Sequence, residues 1–449
     1  MSNESKSPKS SKSTTASKSA KSELTSAQAA AVVDAPAGVT PDPDTPNLLG
    51  KGMATSLGEY FSAYIQRIRG GEMGALPAVA GLVVLMVIFS FADSHFLTER
   101  NIANLFTQAA ELVTLGMALV FVLLLGEIDL SAGVTFGVAM SVFVRLTQPD
   151  GFSWPVALLI ALAIGFVIGF AIGFFVAKIG VPSFVVTLGL FLGLQGVILI
   201  IIGAGGSYRV IPEEILAIQN SNLPPWAGWT LLVVVLLLLL GVALWDRSRR
   251  AASGAPNPPA IVMWLKLGGI AIMGIIMVVV LNADRGTKFK SLQGVPIVIP
   301  FILLIFLVGT FVLDRTRYGR YLYAVGGNAE AARRSGVNVT LVKWAAFCTC
   351  SVLAVIAGLF TVSRSGLADA TLGRDIVLSG VAAAVVGGVS LFGGRGRLIH
   401  AVVGAFVIAV INNGLLLIHM PAGATLAASG AVLIVAATVD ALSRKRAGA

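Results

Sequence analysis

The chain has 449 residues, 56% of them hydrophobic and only 12% charged, with 50 glycines, a mean hydropathy of +0.89 and a formal net charge of +10. Soluble domains carry about 25% charged residues, so this chain cannot cover a globular surface, and a soluble enzyme is excluded. Its apolar residues come in runs close to the ~20 residues that a ~30 Å hydrocarbon core requires, and the positive charges lie in the segments between them and in one tail, as in membrane proteins rather than nucleic-acid binders.

In chain order, residues 1–56 are rich in Ser, Lys, Ala, Thr and Pro and are predicted to form a disordered cytoplasmic tail without the apolar core of a signal peptide. Residues 57–75 read as an amphipathic lead-in, and a membrane domain follows over 76–445. Twelve apolar runs fill it, near 76–92, 111–126, 132–147, 154–177, 181–203, 228–245, 261–282, 297–313, 344–363, 376–392, 398–418 and 425–441. The second and third are short for full crossings and flank a polar break, so 111–147 forms either two crossings or half-helices in a re-entrant pair. The fold class is an all-α polytopic transmembrane bundle of 10 to 12 segments.

Orientation follows from the Lys and Arg distribution. With the N-terminus inside, 24 of the 32 basic residues fall on inside segments, among them Arg247, Arg249, Arg250, Arg315, Arg317, Arg320, Arg333, Arg334, Lys343, Arg444, Lys445 and Arg446. Both termini are therefore predicted to be cytoplasmic.

Within the fourth run, Ala161, Gly165, Gly169, Gly173 and Ala177 recur every four residues, a stripe of small side chains that lets another backbone come close. Pro182 opens the fifth run, where its missing N–H costs little. Asn412 and Asn413 are adjacent amides inside an apolar run; they either hydrogen-bond to neighbouring helices or line a water-filled path. Cys348 and Cys350 sit in an apolar run and read as packing residues. The three histidines are scattered, so no metal site is expected.

Two segments bear on chemistry. Gly126-Glu127-Ile128-Asp129-Leu130-Ser131 places two carboxylates between apolar runs. They are either functional groups at depth, for coupling or substrate contact, or a surface break in which Asp129 or Ser131 caps the next helix. The longest inside loop, 314–343, encodes a helix of about two turns: Asn328 can cap it, Glu330 suits its first turn, Arg333 and Arg334 lie three and four residues beyond Glu330, and Gly336 can end it. Ala331 and its neighbouring alanines keep it slim, so it can enter a groove on another protein, and Ser335 completes its last turn. No phosphate-binding G-x-x-x-x-G-K-[ST] loop occurs, and Gly393-Gly394-Arg395-Gly396 follows a helix, not a strand. Uphill transport would need an ion gradient or a partner.

The loop R-Y-G-R-Y-L-Y-A-V-G-G-N-A-E-A-A-R-R-S-G-V-N-V, with E-I-D-L-S-A-G at 127–133, V-P-S-F-V-V-T-L-G at 181–189 and A-A-V-V-G-G-V-S-L-F-G-G-R-G at 383–396, resembles in order and spacing the permease subunits of monosaccharide ABC importers, the ribose, galactose and xylose group. The resemblance covers about 76–445. It is closest to the xylose-type permeases, through the additional helix pair and basic loop at 228–282 and the L-N-x-x-R-G junction at 281–286. One departure is Val377-Leu378-Ser379-Gly380-Val381, where family members commonly carry an acidic E-L-D-like triplet. The resemblance implies a fold like that of type II ABC importers, a homodimer in membrane lipid, a sugar-binding protein docking on the outer loops, and a cytoplasmic ATPase that grips 314–343. It also implies a place in the bacterial cytoplasmic (inner) membrane, a monosaccharide such as D-xylose as the transported solute, and no cofactor on this chain, ATP being bound by the partner subunit. The competing class is an ion-coupled secondary transporter using Glu127 and Asp129. A scaffold without transport is a third class, disfavoured by the cost of intramembrane polar groups.

Overall fold

The computed structural model describes residues 74–421 except 256 and 287–290, with isolated positions at 58, 62, 65 and 66 and part of 423–438. The tail at 1–56, most of the lead-in at 57–75, part of the last run and Arg444, Lys445 and Arg446 lie outside the described residues.

In lipid every backbone N–H and C=O must be satisfied within its own segment, and the apolar runs form helices accordingly. They are α1 (Leu76–Ala92), α2 (Glu99–Leu123), α3 (Ala132–Leu146), α4 (Trp154–Gly173, widening into a π-helical turn at Phe174–Ile179), α5 (Ser183–Ile202), α6 (Glu213–Asn220), α7 (Pro225–Ala252), α8 (Ala260–Asn282), α9 (Val298–Arg315), α10 (Arg317–Gly327), α11 (Ala329–Arg334), α12 (Val339–Ser365), α13 (Ile376–Val386) and α14 (Leu398–Leu417). Two three-residue strands, β1 (Ser207–Arg209) and β2 (Leu367–Asp369), pair antiparallel with Tyr208 opposite Ala368. Among the described residues eight helices are long and apolar enough to cross a membrane: α2, α4, α5, α7, α8, α9, α12 and α14. The shorter apolar helices are α1, α3, α13 and Gly423–Val432.

The bundle is built around α2, α12 and α14. The most apolar stretch of α2 is 78% buried and those of α12 and α14 are 61% buried, against 6% for α7 and 11% for α8. The hairpin of α7 and α8 thus turns leucines, valines and isoleucines outward, which suits a lipid-facing rim. A bidentate ion pair from Arg315 of α9 to Asp246 of α7 fastens that hairpin at one end. At the other, the buried guanidinium of Arg285 donates to the carbonyls of Leu281 and Gly294, closing the loop after α8.

The glycine stripe of α4 faces α12. Ala161 is fully buried; a Cβ on Gly165 would lie 2.5 Å from Val355, on Gly169 2.7 Å from the Phe347 carbonyl, and on Gly173 2.2 Å from the Trp344 ring. The Trp344 indole N–H donates to the Phe170 carbonyl at 2.8 Å, just where α4 widens into its π turn.

The alternatives left open for 111–147 are separated by helix length. The second apolar run is not a half-helix: α2 has 25 residues, because Thr98 caps it and the polar residues from Glu99 to Glu111 continue the helix without being apolar. The half-length helices are α3, with 15 residues, and α13, with 11. Their first turns meet: a Cβ on Gly133 would lie 2.1 Å from the Gly373 carbonyl oxygen, and Gly373 has φ +83°, so only glycines fit on both sides of this crossing.

Candidate functional site

The loop at 314–343 folds as two helices, not one. Thr316 caps α10 by accepting from the Gly319 N–H at 3.2 Å. Leu322 and Val325 of that helix are buried against the bundle. Its amphipathic face is short and follows directly on α9, so the apolar runs alone did not separate it. Asn328 then caps α11, its Oδ1 accepting from the Ala331 N–H at 2.9 Å. Glu330 receives Arg333 at 2.7 Å and Arg334 at 3.1 Å, and the Ser335 hydroxyl donates to the Ala331 carbonyl at 3.0 Å. Gly336, at φ +84°, turns the chain out of the helix, while the Val337 N–H closes on the Ala332 carbonyl. Ala332 alone is buried; Asn328, Glu330, Ala331, Arg333, Arg334, Ser335 and Gly336 are all exposed. The result is a charged one-and-a-half-turn knob held on one alanine. Its exposed ion pairs add only about 0.3–0.5 kcal/mol each, so they shape a surface more than they stabilise the fold.

At the end of the bundle that bears the knob, the break between α2 and α3 meets four other segments. Glu127 pairs with Lys343, at the start of α12. The Ile128 N–H donates to Ser183 Oγ at 3.2 Å, and its carbonyl accepts from Thr187 Oγ1 at 3.2 Å, which brings in the first turns of α5. The Leu124 carbonyl accepts from the Gly394 N–H at 2.8 Å, bringing in the glycine-rich turn after α13. Tyr323 of α10 donates its hydroxyl to the Gly396 carbonyl at 2.8 Å, and Gly326 sits so close to the Leu124 carbonyl that a Cβ would lie 1.8 Å from it. Burial pushes the Tyr323 phenol up to about 12, so it remains a donor at any physiological pH.

The two carboxylates of the break have different surroundings. Glu127 is part-buried and charge-paired, at the same end as α11. Asp129 is fully buried; its Oδ1 accepts from the Ser131 N–H at 2.9 Å and the Ser131 hydroxyl at 2.7 Å, while Oδ2 has no hydrogen-bond partner among the described residues. Ser131 occupies the cap position of α3 but makes no side-chain cap bond; its hydroxyl is turned to Asp129 instead. Asn412 and Asn413 also part company. Asn413 exchanges hydrogen bonds with Asn101 at 2.8 and 3.0 Å and reaches Gln108 at 3.3 Å, whereas Asn412 is exposed. Lys343, Ser183, Thr187, Tyr323 and Trp344 escaped the search for site residues; only Ser183 and Thr187 carried a signal, as the polar positions of V-P-S-F-V-V-T-L-G. Among the described residues no three His, Cys, Asp or Glu side chains gather as a metal site would require.

Comparison with known proteins identifies the family. Residues 101–437 match the family described as the permease component of branched-chain amino acid transport systems. The xylose transport system permease protein XylH of Escherichia coli K12 is 34% identical over 373 residues, covering 82% of this chain and 92% of that protein. XylH of Haemophilus influenzae is 32% identical, covering 81% and 95%. The ribose import permease protein RbsC of Escherichia coli K12 is 30% identical, covering 81% and 92%. No solved structure matches significantly. With most of its length matched by the family and by permeases of similar size, the chain belongs to this family of membrane transport permeases and is a transport subunit, not an enzyme.

Proposed function

We propose that this chain is the permease subunit of an ATP-driven ABC importer that carries a monosaccharide, xylose or a similar pentose or hexose, across the bacterial cytoplasmic membrane by alternating access. The relatives at 34% and 32% identity are named for xylose and the one at 30% for ribose, which supports the sugar class and favours xylose within it. ATP is bound by a separate cytoplasmic ATPase, and that subunit seats on α10 and α11. One observation carries this assignment: the four segments that resemble sugar permeases meet at the end of the bundle that bears α11, where Tyr323 of the adjoining α10 bonds the turn at 393–396, that turn bonds Leu124, and the break after α2 is tied to α5 through Ser183 and to α12 through Lys343.

On this reading the α11 end faces the cytoplasm, with both termini on that side, and a sugar-binding protein docks at the opposite end, where β1 and β2 pair. Two copies of the chain form the membrane core. Gly189, Gly193 and Gly196 of α5 support a homodimer, because nothing lies within 4 Å of where their Cβ atoms would be and such spacing lets a second helix approach closely. The ion-coupled alternative draws no support: Glu127 is already paired with Lys343 and Asp129 is sealed from solvent.

Glu330→Arg places like charges on Arg333 and Arg334, and Gly336→Pro forbids the positive φ. Each should abolish uptake and co-purification of the ATPase while the subunit still inserts in the membrane. Sugar-stimulated ATPase activity at the wild-type level in either variant would sink the role given to α11; gradient-driven uptake by the isolated chain in vesicles would sink the ATP-driven reading altogether.

A further inference from the structure

We infer that the sugar passes through a polar vestibule inside the half of the subunit remote from α11, between α2, α12 and α14 and above the half-helix α13, where Gln108, Glu111, Arg364 and Asn412 contact its hydroxyls. The inference rests on the monosaccharide reading and gives it a place.

The phase of α2 is the first support. Asn104, Gln108 and Glu111 are spaced i, i+4, i+7 and so share one face; Asn104 is exposed and the other two are partly exposed. Further along the same face Leu115, Ala118 and Val122 are completely buried. One helical face is thus polar and open in its first half, apolar and closed in its second. The same change occurs on α14. Ala401, Ala405 and Ile408 are completely buried, yet Asn412, which stacks above them at three turns from Ala401, is exposed.

The cause is the length of α13. Its 11 residues span only about 16 Å, half of what α2 and α14 span. Where α13 is present it seals the bundle: a Cβ on Gly380 would lie 3.0 Å from Leu115 and from Leu119, and a Cβ on Gly404 of α14 would lie 1.8 Å from the Ala383 carbonyl oxygen. Before its first turn the chain at 370–375 forms no helix, and on that side α2 and α14 carry amides and a carboxylate. From α12, Arg364 approaches Glu111 of α2 at 3.8 Å with the arginine side chain 41% exposed, too far for a hydrogen bond and wet enough to re-aim. Asn413, held by Asn101 and Gln108, fixes the position of the Gln108 amide.

The donor and acceptor set suits a polyol. Each sugar hydroxyl is both donor and acceptor, and amides, a carboxylate and a guanidinium can meet vicinal hydroxyl pairs without taking a net charge from the ligand. The apolar floor at Leu115 and Leu119 stops water and sugar alike until α13 shifts. A leak-free importer needs that seal in its resting state.

The test uses the complete transporter, with ATPase and binding protein, reconstituted in liposomes and supplied with radiolabelled xylose and, separately, ribose. Gln108→Leu and Asn412→Leu should each lower uptake by about tenfold or more, as loss of hydrogen bonds to the moving solute predicts, with recovery of the assembled complex unchanged. A second measurement covers a variant that does not assemble: with Cys348 and Cys350 replaced by alanine, Asn412→Cys should react with a membrane-impermeant thiol reagent from the binding-protein side, and Val234→Cys, on the lipid-facing side of α7, should not. Uptake within about twofold of wild type in both leucine variants, or an Asn412→Cys as inert as Val234→Cys, overturns the vestibule. If the wild type itself takes up neither sugar, the monosaccharide reading fails and the vestibule with it; normal wild-type uptake with normal variants removes the vestibule alone.

Discussion

Glu127 and Lys343 are 216 positions apart in the chain yet form the ion pair that joins the α2–α3 break to the start of α12. Both side chains are mostly shielded, 15% and 24% exposed, so removing one partner leaves a half-buried charge unpaired. Lys343→Met is expected to cost about 1–3 kcal/mol, and Glu127→Gln together with Lys343→Met less than the two single changes added. Unfolding of the purified subunit in detergent, run as a double-mutant cycle, measures this; strictly additive costs would show that the pair does not couple. The contrast with α11 explains what was legible at this scale. Asn328, Glu330, Arg333, Arg334 and Gly336 act within one local window, and cap, i,i+3 and i,i+4 rules reach that far. The Lys343 pairing depends on two loops meeting in three dimensions, which no local spacing encodes. Glu127 and Asp129 look equivalent as letters two positions apart; only the turn between them sends one to a part-buried ion pair and the other fully into the interior.

Between elements, α4 packs backbone to backbone on α12, and the four-residue spacing of Ala161, Gly165, Gly169 and Gly173 announced a close-packed face without naming its partner. Gly169→Leu should therefore destabilise the bundle severely, by more than the about 1–3 kcal/mol of ordinary overpacking, because the first added carbon would already lie 2.7 Å from a backbone carbonyl and 2.8 Å from the Cys348 Cα. Gly268→Leu, on the open side of α8 where nothing lies within 4 Å, should leave the thermal midpoint of the detergent-solubilised protein nearly unchanged. Equal loss in both variants would contradict the packing. Elements that were misjudged share one physical feature: their ends are polar. Hydropathy marks where a helix is greasy, not where it is helical, so α2 was shortened by the residues from Glu99 to Glu111, and α10 was merged into a loop. Those same polar turns are where the proposed roles fall, on α2 as a polar face and on α10 as the base of the knob.

For the whole molecule, alternation of the apolar runs sorts the connections into two sets, and among the described residues members of each set meet one another. The break at 126–131, the start of α5, the α10–α11 loop and the turn at 393–396 meet at one end. β1, β2 and the loops at 148, 222 and 293 meet at the other. Counting Lys and Arg assigns the first set to the cytoplasm, and this is open to direct test. In a chain with Cys348 and Cys350 replaced by alanine, Ser335→Cys should be labelled by an impermeant thiol reagent only in inside-out vesicles, and His95→Cys, whose side chain is 77% exposed beyond α1, only in intact spheroplasts. The opposite pattern would invert the subunit, place α11 away from any ATP-bearing partner, and leave the positive charge of the inside loops without its orienting role. Labelling of both sites from one face would go further and break the alternation itself, because seven apolar helices, α2, α3, α4, α5, α7, α8 and α9, lie between His95 and Ser335, and the count of crossings stays odd even if α2 and α3 enter and leave by the same face.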